Sequence, residues 1–156
     1  MAFVDILLEK DNGFYDLAFD NGDLKSTQGF TSALLMSIFC ERRATASEVA
    51  DPSKRRGWWG NAFLGFTDFQ IGSKLWLLSQ ARADQVTLNN SITFSSNAVE
   101  WFKEDKYIDK ANVTADYDEQ NALLIFIQFL IGQDIVLNKG FRLWDNTIEE
   151  LSEDLD

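Results

Sequence analysis

Partway along this chain the apolar residues change their period, and that change constrains the fold more than any other feature. In three stretches between Ser26 and Asp105 they recur at steps of three and four; from Val113 they alternate or run continuously. Steps of three or four share one face of a helix, whereas steps of two share one face of a strand. Phe30, Ala33, Leu34 and Ile38 therefore predict a helix over 26–43. Arg42 and Arg43 fall in its last turn, where the helix dipole favours cations. Leu75, Trp76 and Leu78, with Ser73 as N-cap, predict a helix over 73–82. Leu88, Ile92, Ser95, Val99 and Phe102 predict another over 87–105.

Strand chemistry follows. Val113, Ala115 and Tyr117 alternate with Thr114, Asp116 and Asp118, as in a half-exposed strand, while 122–131 is apolar on both faces, as in a central one. After turns at 118–121 and 132–134, the runs 135–137 and 141–144 continue a meander. Near the start, Asp20-Asn21-Gly22-Asp23 marks a tight turn, and 13–25 is expected to form a short-armed hairpin. The order hairpin, helices, meander predicts an α+β fold. Its antiparallel β-sheet would combine the C-terminal meander with the N-terminal hairpin, under about three helices.

The 156 residues suffice for one domain, and one Pro and nine Gly leave little room for a linker. The expectation is one domain over 1–156 that ends in an acidic C-terminal tail, 145–156. That tail holds six carboxylates and no cation, and is read as solvated or as a short terminal helix.

Charge excludes several roles. With 14 basic and 25 acidic residues the net charge is −11, a field that repels nucleic acid and anionic lipid. Neither is expected as a partner; basic or mixed patches on other proteins are. The first five residues do not begin a signal peptide, and 122–131 is too short to span a bilayer, so a product made and kept in the cytoplasm is expected.

Catalytic chemistry finds little purchase. There is no histidine, and the single Cys40, set among Leu35, Met36, Ile38 and Phe39, reads as a structural thiol. Asp16, Asp20 and Asp23 lack the central Gly and terminal Glu of a calcium loop. Glu41, Glu48 and Asp51 are the least unsuitable carboxylates for glycoside hydrolysis, and solvation or ion pairing accounts for them more simply. No cofactor, metal or catalytic residue is expected.

One segment stands out. Residues 44–72 form a long irregular stretch holding Lys54-Arg55-Arg56-Gly57-Trp58-Trp59-Gly60. With Arg42 and Arg43 it places five of the fourteen basic residues within fifteen positions. The tryptophans could plug the loop onto the core while the arginines pair local carboxylates. Alternatively the loop is a docking surface, since Trp and Arg dominate binding hot spots. Both hold if one ring is buried and the other presented.

Arg55-Arg56-Gly57-Trp58-Trp59-Gly60, then Gly72-Ser73-Lys74-Leu75-Trp76-Leu77-Leu78, with Glu41-Arg42-Arg43-Ala44 before them, resemble the baseplate protein of Mu-like phages, the gene-product-46 type. A wider group includes the T-even wedge protein of the gene-product-25 type. The resemblance covers roughly 26–102. Two positions depart from it: Asn61, where an acidic residue is expected, and Cys40, where the wider group tends to have glycine. The resemblance implies a structural wedge subunit of a contractile tail, found in the virion and made in the host cytoplasm, on which the sheath starts. Its partners would be other wedge proteins and the sheath protein, with tube or hub proteins as further candidates. Part of the wider group carries a lysozyme-like label, so a peptidoglycan-cleaving tail enzyme is the alternative.

On that resemblance the protein-contact residues are Arg42, Arg43, Arg55, Arg56, Gly57, Trp58, Trp59, Gly60 and Trp76. A subunit that starts a polymer must offer an edge like the polymer's own, and an open β-edge accepts a foreign strand in fixed register. The sheath-binding region is accordingly expected along Val113, Ala115, Tyr117, Ile135, Leu137, Phe141 and Leu143.

Overall fold

The computed structural model describes residues 4–65, 69–144 and 147–151. Six short strands come first: β1 (Val4–Ile6), β2 (Leu8–Asp11), β3 (Phe14–Leu17), β4 (Phe19–Asp20), β5 (Asp23–Leu24) and β6 (Ser26–Gln28). Helix α1 (Thr31–Phe39) follows, then a loop with 3-10 turns at Pro52–Lys54 and Trp59–Phe63, and a third at Leu75–Leu78. Helix α2 (Gln85–Glu104) leads into β7 (Lys110–Tyr117), β8 (Leu123–Ile131), β9 (Asp134–Trp144) and β10 (Thr147–Glu150). The class is α+β, as the change of period predicts.

The last four strands make one antiparallel sheet, ordered β10-β9-β8-β7. β8 is central, as its doubly apolar pattern requires. Leu123, Ile125, Ile127 and Phe129 point to the helices and are buried, while Leu124, Phe126, Gln128 and Leu130 on the other face are half-buried. Phe102 of α2 meets Phe129 with ring centroids 4.7 Å apart, and Phe30 meets Phe102 edge-on at 5.7 Å. Each such ring contributes about 2–3 kcal/mol by leaving water. Ser91 and Ser95, which let α2 approach closely, share its buried face with Val99 and Phe102.

Several boundaries differ from those expected. α1 starts at Thr31 rather than 26, because Ser26–Gln28 pairs with β1 as a strand. Phe30 supplies no capping side chain; Asp5 of β1 does so instead, accepting from Ala33 N at 2.7 Å. The helix ends at Cys40, which turns extended, so Arg42 and Arg43 lie beyond it and the dipole does not explain them. Within 73–82 only a 3-10 turn forms, leaving two α-helices rather than three among the described residues.

The N-terminal strands do not join the main sheet. Instead of one hairpin there are two, β2–β3 and β4–β5, with Asn12-Gly13 and Asn21-Gly22 at their turns, all four residues at positive φ. Part of the stretch read as an acidic tail is β10, with Thr147 opposite Trp144 and Glu150 opposite Phe141; Asp145, Asn146 and 152–156 lie outside the described residues. β7 is therefore one edge of the sheet. β9 is covered by β10 only over Phe141–Trp144, with a further bond from Leu151 N to Gly140 O. Its outer edge from Asp134 to Lys139 has no strand beside it among the described residues. Among those residues, no helix is long and apolar enough to cross a membrane.

Candidate functional site

The arginine–tryptophan loop is tied at both shoulders to the five residues that follow α1. On one side Ser73 N donates to Cys40 O and Arg42 N to Ser73 O, both at 2.9 Å. On the other, Trp58 N donates to Glu41 O at 2.7 Å and Ala44 N to Arg55 O at 3.0 Å. Ser73 Oγ also donates to Ile38 O (2.7 Å), which satisfies a carbonyl at the helix end.

The arginines serve this loop. Arg42 donates to Gln70 O (2.9 Å), and burial lowers its affinity for its proton. Arg43 spans Arg56 O and Pro52 O, each at 3.0 Å. Arg55 holds Val49 O and Ala50 O at 2.7 and 2.8 Å. Arg56 pairs with a carboxylate, Glu41 at 2.9 Å, and lies 4.9 Å over the Trp76 ring. Trp76 Nε1 donates in turn to Arg42 O at 2.9 Å. These planar forks fix the course of an irregular backbone that has no ladder of its own. Gly57 lies against Arg43, whose Cβ would be 3.0 Å from any Cβ placed there.

The paired tryptophans diverge. Trp58 is half-buried across Gly60, where an added Cβ would stand 2.4 Å from its ring carbons. Trp59 points outward, 75% exposed, beside the 80% exposed Phe63, ring centroids 6.0 Å apart. The aromatic content of the loop is thus divided between anchoring and presentation.

Asn61 explains its own departure from the expected acid. Its amide nitrogen donates to Ile71 O (3.0 Å) and its amide oxygen accepts from Ile71 N (2.8 Å), a two-way clasp that a carboxylate cannot make. Nothing in the spacing of the sequence signals this bond, nor the one from Ser73 to Ile38.

The strand residues sit differently from their expected role. Val113, Ala115, Tyr117, Leu143, Leu137 and Phe141 all belong to or pack on the helix-facing core, with Phe141 fully buried. Ile135 is exposed. Those six side chains are therefore wholly or partly committed to the core. Tyr117 is also engaged through its hydroxyl, which donates to Asp84 O and accepts from Asp84 N, both at 3.0 Å.

A cleft of about 500 Å³ opens beside the loop, floored by Leu75, Leu123 and Leu143 and walled by Trp76 and Trp144. Glu41 is its one carboxylate among the described residues, and Arg56 occupies it. Glu48 binds Lys74 (2.9 Å) and the Thr45 amide. Partial burial pushes its carboxyl up, but the Thr45 and Lys74 hydrogen bonds outweigh this and leave it below its ordinary value. Asp51 caps a 3-10 turn, and the Ser53 hydroxyl holds its carboxyl low. Among the described residues, no three His, Cys, Asp or Glu side chains group as a metal site.

A four-stranded meander backed by two helices, with arginines bonded along a loop that buries one tryptophan in part and presents the other, defines a protein that presents a fixed surface. The chain belongs to the phage protein GP46 family, whose model matches residues 30–139. It is similar to the baseplate protein gp46 of Escherichia phage Mu, 32% identical over 133 residues, covering 84% of this chain and 90% of that one. It is also similar to the Mu-like prophage FluMu protein gp46 of Haemophilus influenzae, 28% identical over 138 residues, covering 88% of this chain and 95% of that relative.

Proposed function

We propose that this chain is a structural subunit of a contractile phage tail baseplate, a wedge component of the virion on which sheath assembly starts. The observation that carries this is the likeness to the Mu baseplate protein over nine-tenths of that protein's length. The arginines bonded to loop carbonyls support it, because a braced loop offers Trp59 and Phe63 at low entropic cost to neighbouring wedge, tube or hub proteins. The sheath protein would add a terminal arm as a strand to an open edge of the main sheet, and β7 is the longest such edge among the described residues.

A hydrolytic role fits less well. Retaining and inverting glycosidases need two carboxylates across the scissile bond, one with a raised pKa. The cleft supplies one, already paired, and Glu48 and Asp51 are shifted the other way. Purified protein is expected to leave peptidoglycan intact.

The test is a phage carrying Trp59→Ala with Phe63→Ala. Both rings already face water, so the variant should fold, and tails should lack sheath or baseplate under the electron microscope. Normal tails from a folded variant would remove the loop's docking role.

A further inference from the structure

The three strand pairs of the N-terminal region meet at one point. Leu7 N donates to Lys25 O (2.9 Å), Ala18 N to Leu7 O (3.0 Å) and Lys25 N to Ala18 O (2.8 Å), a ring of backbone bonds around the buried Ala18. Three arms leave this hub: β1–β6, β2–β3 and β4–β5.

Two arms are fastened to the body. Asp5 of the first caps α1. In the second, Tyr15 donates to Glu150 Oε2 at 2.6 Å and packs on Phe39, while Leu8 N donates to Ser32 Oγ. The third arm makes no side-chain hydrogen bond to helix or main sheet among the described residues.

Ribbons two strands wide are marginal in water by themselves, and these carry apolar groups outward. Phe14 is 79% and Phe19 62% exposed, and Val4, Ile6, Leu17 and Leu24 are exposed as well. Six exposed apolar residues within 25 positions are more than isolated surface residues, and exposed apolar clusters mark contact sites. Its charge narrows the partner: residues 4–28 hold six carboxylates against two lysines, a net of −4. A second copy would set like charge against like, and nucleic acid or anionic lipid would be repelled.

We infer that the three-armed N-terminal unit is a second docking surface, which receives an apolar face rimmed by lysine or arginine on a different protein. Phe14 and Phe19 are the anchors, and Asp11, Asp16, Asp20 and Asp23 meet the cationic rim.

Zero-length carbodiimide coupling, which joins a carboxylate to a lysine amine in direct contact, tests this on purified particles that carry the chain. The expected products join those aspartates to lysines of a different polypeptide. Phe14→Ser with Phe19→Ser should cut their yield by roughly tenfold while leaving the melting temperature within about 2 °C, since both rings are already in water. Couplings only to a second copy, none from the arms, or a yield unaffected by the two serines would overturn it. If the chain is absent from particles, the baseplate reading fails, and sedimentation of the free protein still decides here. A monomer at neutral pH is expected; a dimer that the same two substitutions dissolve would overturn the inference.

Discussion

Asn61 shows how one side chain can close a loop. Its amide both gives and takes a hydrogen bond with Ile71, so the two limbs of the tryptophan turn are held together by groups that need no charge. Asn61→Asp keeps the acceptor, loses the donor, and places a carboxylate oxygen against the Ile71 carbonyl. It is expected to lower stability by about 1–3 kcal/mol, the usual cost of stranding a part-buried polar group, as read by urea unfolding. An unchanged midpoint would show that the clasp contributes nothing. The arginines follow the same logic on a larger scale. Arg43 and Arg55 each serve two carbonyls, and such partners leave no trace in a list of residue types. The cluster itself could be found from the sequence; the direction in which its guanidinium groups point could not.

At the level of elements, carboxylates at ends and turns set the response to acid. The Thr87 backbone N–H holds Asp84 low at the start of α2. The Arg142 guanidinium holds Asp118 low in the β7–β8 turn, where Gln120 N and Ala122 N also bond to it. Unfolded, these groups return to about pKa 4. Folding favours their charged forms, so the stabilisation is complete above about pH 5 and is lost as pH falls through 4 toward the lower folded values. The melting temperature should be level from about pH 5 to 7 and drop below about pH 4. Asp118→Asn should flatten that drop, and a parallel acid curve would exclude Asp118 as a source. The regular elements were legible where the period was long: α2 and β8 lie within two residues of expectation. Shorter pieces were not. Ser26–Gln28 has no period to read and is a strand only because β1 lies beside it. Leu75 and Leu78 have helical spacing, but Ser73 is drawn into a bridge with Glu41, and only one 3-10 turn remains. Glu149 and Glu150 suggest a solvated tail, yet Ile148 between its neighbours packs on the core and carries β10 onto the sheet.

On the scale of the whole molecule, the loop and the edges of the main sheet are distinct surfaces. The loop projects Trp59 and Phe63, and among the described residues the outer edges of β7 and of part of β9 have no strand beside them. If a sheath arm adds to β7, amide exchange across Lys110–Tyr117 should slow by at least tenfold in assembled tails relative to the free chain, since edge amides otherwise open without global unfolding. Equal exchange rates in the two states would move the sheath contact elsewhere. The way the loop is fastened has a consequence of its own. Its backbone ties from Arg55, Trp58 and Ser73 end on residues 40–44. A protease that nicks the exposed stretch near Ser53 or Phe63 therefore makes two new chain ends without releasing either. Each fragment stays clipped to the same short run of backbone, and the cut protein keeps its shape until denaturant loosens both clips together.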